Sequence, residues 1–414
     1  MNVRLTANDL KSKSKINITG SKSETNRLLL LKALYPSIVI ENASNSDDSE
    51  VMRSALSTNN QQPTTANQII DIHHAGTAMR FLTAYFASQE SKTVSLTGSS
   101  RMKERPIKFL VDALIQLGAK IEYLEKDGFP PIKITGQKLT TSKVSLPANV
   151  SSQYISALLL IAPSLENGLE LELRGEFTSI SYINMTLKLL QEIGVETSFI
   201  GNLITVKPST QYPTTNTIVV ESDWSSASYF YSIIALSKAG TQIELSCFKE
   251  NSLQGDAVLA TIYQQMGVET HFNEGKITLT KNLNPINQNI MLDLNSAPDI
   301  AQTIAVTAFG LGIECQLKGL HTMKIKETDR LEALKIELLK LGAEISVTND
   351  SLHLHPSNLI TFNQSIATYN DHRMAMAFAP LALITNINIE NAEVVSKSYP
   401  DFWNDLKKLD FEIS

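Results

Sequence analysis

A segment in which a helix ends at a glycine and a strand follows recurs four times along the chain. The glycines are Gly118, Gly194, Gly267 and Gly342, which by subtraction are 76, 73 and 75 residues apart. Each fits the position after a helix C-terminus, where glycine readily takes a left-handed backbone conformation. Spacing this regular is not expected of unrelated helix–strand junctions, so an internal repeat is predicted.

Two weaker copies extend the pattern to six. One lies near residues 52–59 with a strand over 68–72, and the other closes the chain at 402–413. A unit of roughly 70 residues is too long for a solenoid repeat and fits a small β-α-β-α-β-β module. The repeats therefore predict an α/β protein with two domains of three modules each.

The domain boundaries are predicted near residues 19–21 and 220–223. This division places residues 21–221 in a first domain and residues 1–20 with 222–414 in a second. The chain would cross twice between the domains, and we expect two crossings to form a hinge that cannot twist freely.

Composition restricts the partners and the compartment. The chain has 36 basic and 42 acidic residues, a net charge of −6, which predicts no nucleic-acid or membrane partner. Its two cysteines, Cys247 and Cys315, form no disulfide framework and suit a reducing compartment. The longest apolar run, 374–384, is too short to span a bilayer, and no signal-peptide core is evident. A cytoplasmic protein is expected.

The stretch GSKSETNR, residues 20–27, joins a short strand to an apolar helical run. Gly20 permits a tight turn, and the serines offer hydroxyl and N–H groups at the positive end of the helix dipole. Lys22 and Arg27 add two full charges. The combination suits a phosphate or carboxylate; taken alone, a serine N-cap with solvated charges is the alternative interpretation.

Related stretches occur at other predicted helix starts. In the first half they are AGTAMR (75–80), SRMKERP (100–106) and SSQY (151–154). In the second half, KETDR (326–330) and NDHR (370–373) precede helices.

The acid–base candidates Asp299 and Glu327 occur only in the second half of the chain. No GxGxxG, Walker loop, nucleophile elbow or zinc-ligand spacing is present. The residues alone therefore predict a two-domain enzyme or binder for small polyanions, held at helix N-termini that face a cleft between domains.

In chain order, GSKSETNR, AGTAMR, SRMKERP, SSQY, KETDR and NDHRMAM closely resemble the 5-enolpyruvylshikimate-3-phosphate (EPSP) synthase family over residues 20–397. The resemblance implies the two-domain enolpyruvyl transferase fold, an inside-out α/β barrel of six βαβαββ repeats. It also implies transfer of the enolpyruvyl group of phosphoenolpyruvate to the 5-hydroxyl of shikimate 3-phosphate through a tetrahedral intermediate, with release of phosphate. This reaction belongs to the shikimate pathway to chorismate and aromatic amino acids. A monomer without metal or organic cofactor is expected.

The resemblance also assigns roles to residues by motif. The residues expected to bind shikimate 3-phosphate are Lys22, Ser23, Arg27, Ser151, Ser152, Gln153, Ser179, Asp299 and Lys326. Those expected to bind phosphoenolpyruvate are Lys22, Gly76, Arg101, Gln153, Arg330, Arg373 and Lys397. Asp299 is expected to act as base toward the 5-hydroxyl, with Glu327 and Lys22 handling the C3 proton and the leaving phosphate. Cations among these residues would offset repulsion between two polyanions.

Three positions depart from the residues usual in the family. His74 and Thr322 stand where asparagine is common, which bears on substrate contacts, and Phe81 replaces a proline. The position of Phe81 leaves the response to glyphosate open.

Two alternatives remain. The related transferase acting on UDP-N-acetylglucosamine usually has a cysteine in the loop equivalent to 98–106, and none is present here. The other alternative is a non-catalytic phosphometabolite-binding protein on the same scaffold, against which Asp299, Glu327 and Lys397 argue.

Overall fold

The computed structural model describes residues 1–7, 10–57, 67–175, 180–209, 217–284, 286–357 and 360–414. The chain divides into two compact units. The inserted unit comprises Ser21–Val220, and the split unit comprises Met1–Gly20 together with Glu221–Ser414. Glu221, placed in the first domain from the sequence, has its contacts in the split unit, where its carboxylate accepts hydrogen bonds from Trp224 Nε1 at 2.7 Å and Ser252 Oγ at 2.6 Å.

The helices alternate with strands along most of the chain. The α-helices are α1 (Lys22–Leu34), α2 (Asp47–Ser57), α3 (Gly76–Ala87), α4 (Ser100–Lys103), α5 (Lys108–Gln116), α6 (Ser152–Ile161), α7 (Ile180–Glu192), α8 (Trp224–Leu236), α9 (Leu259–Gln264), α10 (Ala301–Leu311), α11 (Arg330–Lys340), α12 (His372–Phe378) and α13 (Phe402–Lys408). Short 3-10 helices cover Ala162–Ser164, Gly255–Val258, Pro298–Ile300, His321–Ile325, Ala379–Leu383 and Ala392–Lys397.

The strands are short, with two to six residues each. They are β1 (Val3–Thr6), β2 (Lys13–Ile16), β3 (Val39–Glu41), β4 (Gln68–Asp71), β5 (Thr93–Thr97), β6 (Lys120–Tyr123), β7 (Ile132–Thr135), β8 (Lys143–Pro147), β9 (Leu169–Arg174), β10 (Thr197–Ile200), β11 (Leu203–Val206), β12 (Thr217–Val219), β13 (Gln242–Ser246), β14 (Val268–Asn273), β15 (Lys276–Lys281), β16 (Asn289–Asp293), β17 (Glu314–Lys318), β18 (Ile345–Val347), β19 (Leu352–Leu354), β20 (Gln364–Ile366), β21 (Ile387–Ile389) and β22 (Glu412–Ile413).

The strands form three sheets in each unit among the described residues. The orders are β4-β5-β7-β6, β8-β9-β11-β10 and the pair β3-β12 in the inserted unit, and β2-β13-β15-β14, β16-β17-β19-β18 and β20-β21-β1-β22 in the split unit. The first two strands of each four-stranded sheet are parallel, and the other pairings are antiparallel. One topology therefore recurs, which confirms the predicted βαβαββ modules.

In two modules, the first strand of the sheet comes from a distant part of the chain. β2, before α1 in sequence, pairs in parallel with β13 of the split unit, from Lys13 beside Gln242 to Ile16 beside Leu245. β12, which precedes α8, pairs in parallel with β3 of the inserted unit. The chain therefore passes from one unit to the other at Gly20–Ser21 and again at Val220–Glu221.

The repeated glycines end helices as predicted. Gly118, Gly194, Gly267 and Gly342 have φ angles of 103°, 88°, 81° and 94°, a conformation that costs glycine little. In the last module Asp410 takes the same position with φ 68°. This replacement explains why the closing copy of the repeat is weak in sequence.

The helices that come first in each module form the interior, and the sheets lie outside them. α3 and α6 of the inserted unit and α8, α10 and α12 of the split unit are buried on nearly all sides. The strands instead alternate buried and more exposed residues, as in β13. Helices α1, α3 and α6 pack together in one unit, and α8, α10 and α12 in the other. This is the inside-out arrangement expected from the sequence.

Among the described residues, no helix combines the length and apolar character needed to cross a bilayer.

Candidate active site

The inserted unit has a lysine held at the start of α1. Ser21 caps this helix, its Oγ accepting a hydrogen bond from the Glu24 backbone N–H at 3.5 Å. Lys22 Nζ lies 3.1 Å from Asp48 Oδ2, on the first turn of α2. The side chains of Lys22 and Asp48 are 17% and 4% exposed, so this ion pair holds the Lys22 ammonium beside the N-terminus of α1 rather than in bulk solvent.

Arg27, one turn into α1, is a buried cation bonded to uncharged oxygen atoms. Its side chain donates to Thr186 Oγ1 (2.8 Å), Ser23 O (2.8 Å), Ser156 Oγ (3.0 Å) and Tyr182 O (3.3 Å). Burial lowers the pKa of Arg27 to about 10, an effect that Tyr182 and Glu24 partly oppose. Four of its five N–H donors are thus occupied, and no carboxylate pairs with it among the described residues.

The starts of α3 and α6 meet in the same unit. Ser151 caps α6, accepting from the Gln153 backbone N–H at 3.4 Å, and Gln153 Nε2 donates to Thr77 Oγ1 of α3 at 3.1 Å. Gly76 is the first residue of α3, and Ser152 is 7% exposed. The N-termini of α3 and α6 therefore bring the serine, glycine and glutamine of the two motifs close together.

An arginine to which the sequence assigned no role lies beside Gly76. A Cβ at Gly76 would come 2.6 Å from Nη1 of Arg105. Arg101, which the sequence did single out, is an exposed residue of α4 whose Nη1 pairs with Glu104 Oε2 at 2.9 Å. Ser179 lies outside the described residues.

In the split unit, Arg330 joins three carboxylates. Its Nη1 is 3.0 Å from Asp299 Oδ1, its Nη2 is 2.7 Å from Glu327 Oε2, and its Nε is 2.5 Å from Asp371 Oδ2. The guanidinium is 2% exposed, and these carboxylates raise the pKa of Arg330 against the lowering effect of burial. The expected phosphoenolpyruvate-binding arginine is therefore also the centre of an ion network.

The two acid–base candidates each have further cationic partners. Asp299 Oδ1 lies 3.6 Å from Lys326 Nζ, and its Oδ2 lies 3.7 Å from Arg373 Nη2. Glu327 Oε1 accepts from Lys397 Nζ at 2.6 Å. The structure thus brings the carboxylates of Asp299 and Glu327 together with four cations, Lys326, Arg330, Arg373 and Lys397.

A buried carboxyl that the sequence did not identify lies beside this cluster. Asp256 accepts a hydrogen bond from the Ser225 hydroxyl, whose oxygen in turn accepts from Arg373 Nη2 at 3.3 Å. Burial, with a further contribution from Asp299, raises the pKa of Asp256 to about 7. In sequence it is a lone acid before a short helix, so only tertiary structure reveals it.

The helix starts of the two units differ in charge. In the split unit α8 and α12 are capped by acids: Asp223 accepts from the Ser226 N–H at 2.8 Å, and Asp371 accepts from the Arg373 N–H at 2.9 Å. These carboxylates neutralise the positive helix ends that would attract an anion. In the split unit, lysine and arginine side chains therefore supply the positive charge beside these capped helix starts.

The positions that depart from the family are also located. His74 is exposed in the turn before α3, and Phe81 is fully buried in α3. Thr322 Oγ1 is buried with no hydrogen-bond partner among the described residues. In the same described ranges, no group of three or more His, Cys, Asp or Glu side chains could hold a metal ion.

The chain has six βαβαββ modules in two units. Both units carry cations among the candidate site residues, and one unit also carries the paired carboxylates. These features define an α/β enzyme of the enolpyruvyl transferase fold. A sequence profile of the family described as EPSP synthase (3-phosphoshikimate 1-carboxyvinyltransferase) matches residues 8–406.

Curated relatives are similar over almost their full length. The 3-phosphoshikimate 1-carboxyvinyltransferase of Bacteroides fragilis strain YCH46 is 46% identical over 408 residues, covering 97% of this chain and 96% of the relative. The enzyme of the same name from Pasteurella multocida is 38% identical, covering 95% and 94%. The solved structure of EPSP synthase from Acinetobacter baumannii has the same fold, with a TM-score of 0.79 at 21% identity over 100% of this chain and 99% of that one.

The chain therefore belongs to the EPSP synthase family, the 3-phosphoshikimate 1-carboxyvinyltransferases of the shikimate pathway.

Proposed function

We propose that this chain transfers the enolpyruvyl group of phosphoenolpyruvate to the 5-hydroxyl of shikimate 3-phosphate, releases phosphate, and uses Asp299 and Glu327 for the proton transfers. The observation that carries the residue-level proposal is the pair of carboxylates held on one guanidinium, Asp299 at 3.0 Å and Glu327 at 2.7 Å from Arg330. Two fixed carboxylates among lysines and arginines suit proton transfer on a polyanion.

Shikimate 3-phosphate is assigned mainly to the inserted unit. Arg27 retains one N–H without a partner among the described residues and a charge that no carboxylate neutralises, so an anion there would gain a charge-assisted hydrogen bond. The remaining proposed ligands of this substrate are Lys22, Ser23, Ser151, Ser152, Gln153, Ser179, Asp299 and Lys326. Thr322, at the position where the family usually has asparagine, has a buried hydroxyl without a partner among the described residues. This hydroxyl would donate a hydrogen bond to shikimate 3-phosphate.

Phosphoenolpyruvate is assigned to the side-chain cations of the split unit together with the start of α3. Arg330, Arg373 and Lys397 already face carboxylates, so binding of a phosphate or carboxylate there redistributes existing ion pairs. The remaining proposed ligands are Lys22, Gly76, Arg101 and Gln153. As Lys397 and Arg330 turn toward the substrate, Glu327 loses cationic neighbours and can more readily hold a proton.

In the addition step, the protonated carboxyl of Glu327 delivers its proton to C3 of phosphoenolpyruvate, and C2 becomes cation-like. The 5-hydroxyl oxygen bonds to C2 while its proton passes to the Asp299 carboxylate. The product is a tetrahedral intermediate that carries both the phosphate and the new C–O bond. Asp299 is suited to this because Lys326, Arg330 and Arg373 hold it within 3.0–3.7 Å.

In the elimination step, C3 loses a proton, the C2–phosphate oxygen bond breaks, and phosphate leaves. Glu327 takes the C3 proton, and Lys22 protonates the departing phosphate. Before the substrates bind, the hydrogen bond of 2.6 Å from Lys397 Nζ to Glu327 Oε1 positions this carboxylate. These steps need no metal or organic cofactor. The protein would act on the two small molecules as a cytoplasmic monomer.

Phosphate release from phosphoenolpyruvate, measured with different acceptors, tests the reaction. Release should occur with shikimate 3-phosphate and not with UDP-N-acetylglucosamine. Release with the sugar nucleotide alone would overturn the choice of acceptor, and binding of shikimate 3-phosphate without release would favour a non-catalytic protein.

A further inference from the structure

An aromatic ring from another helix lies against the buried guanidinium of the inserted unit. The Cζ atom of Arg27 is 5.4 Å from the centroid of the Phe81 ring, and 5.8 Å from that of Tyr182. Phe81 is 0% exposed and Arg27 is 2% exposed, so water does not screen the contact. The ring comes from α3, which packs against α1.

The Arg27 guanidinium depends on this aromatic contact more than a guanidinium paired with a carboxylate would. Its hydrogen bonds run to hydroxyl and carbonyl oxygens, and no ion pair balances its charge among the described residues. Removing a cation from water is costly, and an aromatic face recovers part of that cost. Cation–π attraction is strongest for such desolvated pairs.

We propose that Phe81 is a positioning residue for shikimate 3-phosphate: its ring fixes the Arg27 guanidinium so that the remaining N–H and the charge are directed at the acceptor. The inference rests on the proposed function, in which Arg27 binds shikimate 3-phosphate. Proline, usual at this position in the family, has no aromatic face. The dependence is therefore specific to chains with an aromatic residue here.

The test compares two leucine variants of α3. Phe81→Leu removes the ring from Arg27, and Phe86→Leu makes the same change at a 1% exposed ring whose neighbour is Tyr85, with centroids 5.3 Å apart. Isothermal titration with shikimate 3-phosphate should show an affinity reduced by roughly 3- to 30-fold in Phe81→Leu and unchanged in Phe86→Leu. The KM for phosphoenolpyruvate and kcat should stay at wild-type values in both, since Arg27 is assigned to the acceptor alone.

Two further variants separate the contact from a general packing defect. Phe81→Tyr keeps the ring and should restore affinity toward wild type. In an Arg27→Gln background the guanidinium is absent, so Phe81→Leu should cause no additional loss. Equal losses in Phe81→Leu and Phe86→Leu, or an additional loss in the Arg27→Gln background, would overturn the inference.

The same experiment distinguishes this inference from the proposed function. If Arg27→Gln itself leaves shikimate 3-phosphate affinity unchanged, the proposed role of Arg27 fails. If Arg27→Gln weakens binding and Phe81→Leu does not, only the positioning role of Phe81 fails. Circular dichroism of each variant verifies that it is folded.

Discussion

Nε of Arg330 lies 2.5 Å from Oδ2 of Asp371, and the two side chains are 2% and 0% exposed. The bond ties the first residue of α11 to the N-cap of α12. The same guanidinium also contacts Asp299 and Glu327, so the position of both proposed acid–base groups depends on this pair.

Asp371→Ala should therefore destabilise the split unit. It leaves Arg330 with one fewer carboxylate and removes a helix cap, and breaking a buried ion pair typically costs about 3–5 kcal/mol. Both tryptophans, Trp224 and Trp403, lie in the split unit, so fluorescence during urea unfolding follows this unit. The control is Glu332→Ala, which breaks an exposed pair with Lys335 on α11 and should cost under about 1 kcal/mol. Equal midpoints for the two variants would contradict the role given to Asp371.

Glu327→Gln should slow both addition and elimination. The amide can neither give the C3 proton nor take it back, although it can still accept a hydrogen bond from Lys397, so kcat should fall by about 10²–10⁴. Rapid-quench analysis of a single turnover should show slow loss of phosphoenolpyruvate. Loss of phosphoenolpyruvate at the wild-type rate, with the tetrahedral intermediate accumulating, would instead restrict Glu327 to the elimination step.

Asp256→Asn should change the pH dependence of stability. The pKa of Asp256 is raised to about 7 in the folded protein, above its unfolded value of 3.8. The folded state therefore holds a proton that the unfolded state has released, and wild type loses this contribution as pH rises from about 4 to about 7. The Asp256→Asn variant lacks this loss. The free energy of unfolding of the variant minus that of wild type should therefore be more positive at pH 8 than at pH 4. A stability difference that is equal at the two pH values, measured by urea unfolding, would contradict this assignment.

Gly76→Ala should raise the KM for phosphoenolpyruvate by displacing Arg105. The added methyl would come 2.6 Å from Nη1 of Arg105, and because a long side chain can move, folding should be retained. In an Arg105→Ala background the clash is gone, and Gly76→Ala should then add little. A similar KM increase in both backgrounds would show that the methyl acts on the substrate directly.

The sequence predicts the repeats well because each module depends on local signals. The glycines at 118, 194, 267 and 342 have the backbone conformation that their positions required, and Asp410 replaces the glycine in the closing copy. The weak copy near residues 52–59 lies partly outside the described residues. The chain divides into its two compact units at Val220–Glu221, whereas the sequence placed Glu221 in the first domain.

The site was less predictable because its charges are paired through tertiary contacts. Asp371 and Arg330 are 41 residues apart, and nothing in local spacing indicates that they would bond. The cluster at 370–373 beside an apolar helix did indicate buried charge. Asp256 had no such signal, and Arg105 was noted only as part of the SRMKERP stretch, without a role of its own. Among the described residues, six of the seven expected substrate-binding cations, all but Arg27, also pair with carboxylates of their own unit.

The most direct test of the central claim is phosphate release from phosphoenolpyruvate and shikimate 3-phosphate by Asp299→Asn. The matched control is Asp405→Asn, a 1% exposed acid of the split unit that bonds Tyr399 instead of the charged cluster. Asp299→Asn should still bind shikimate 3-phosphate and release phosphate about 10²–10⁴ times more slowly, with the control near wild type. Release by Asp299→Asn at the wild-type rate would contradict the assignment of Asp299 as the base that activates the 5-hydroxyl.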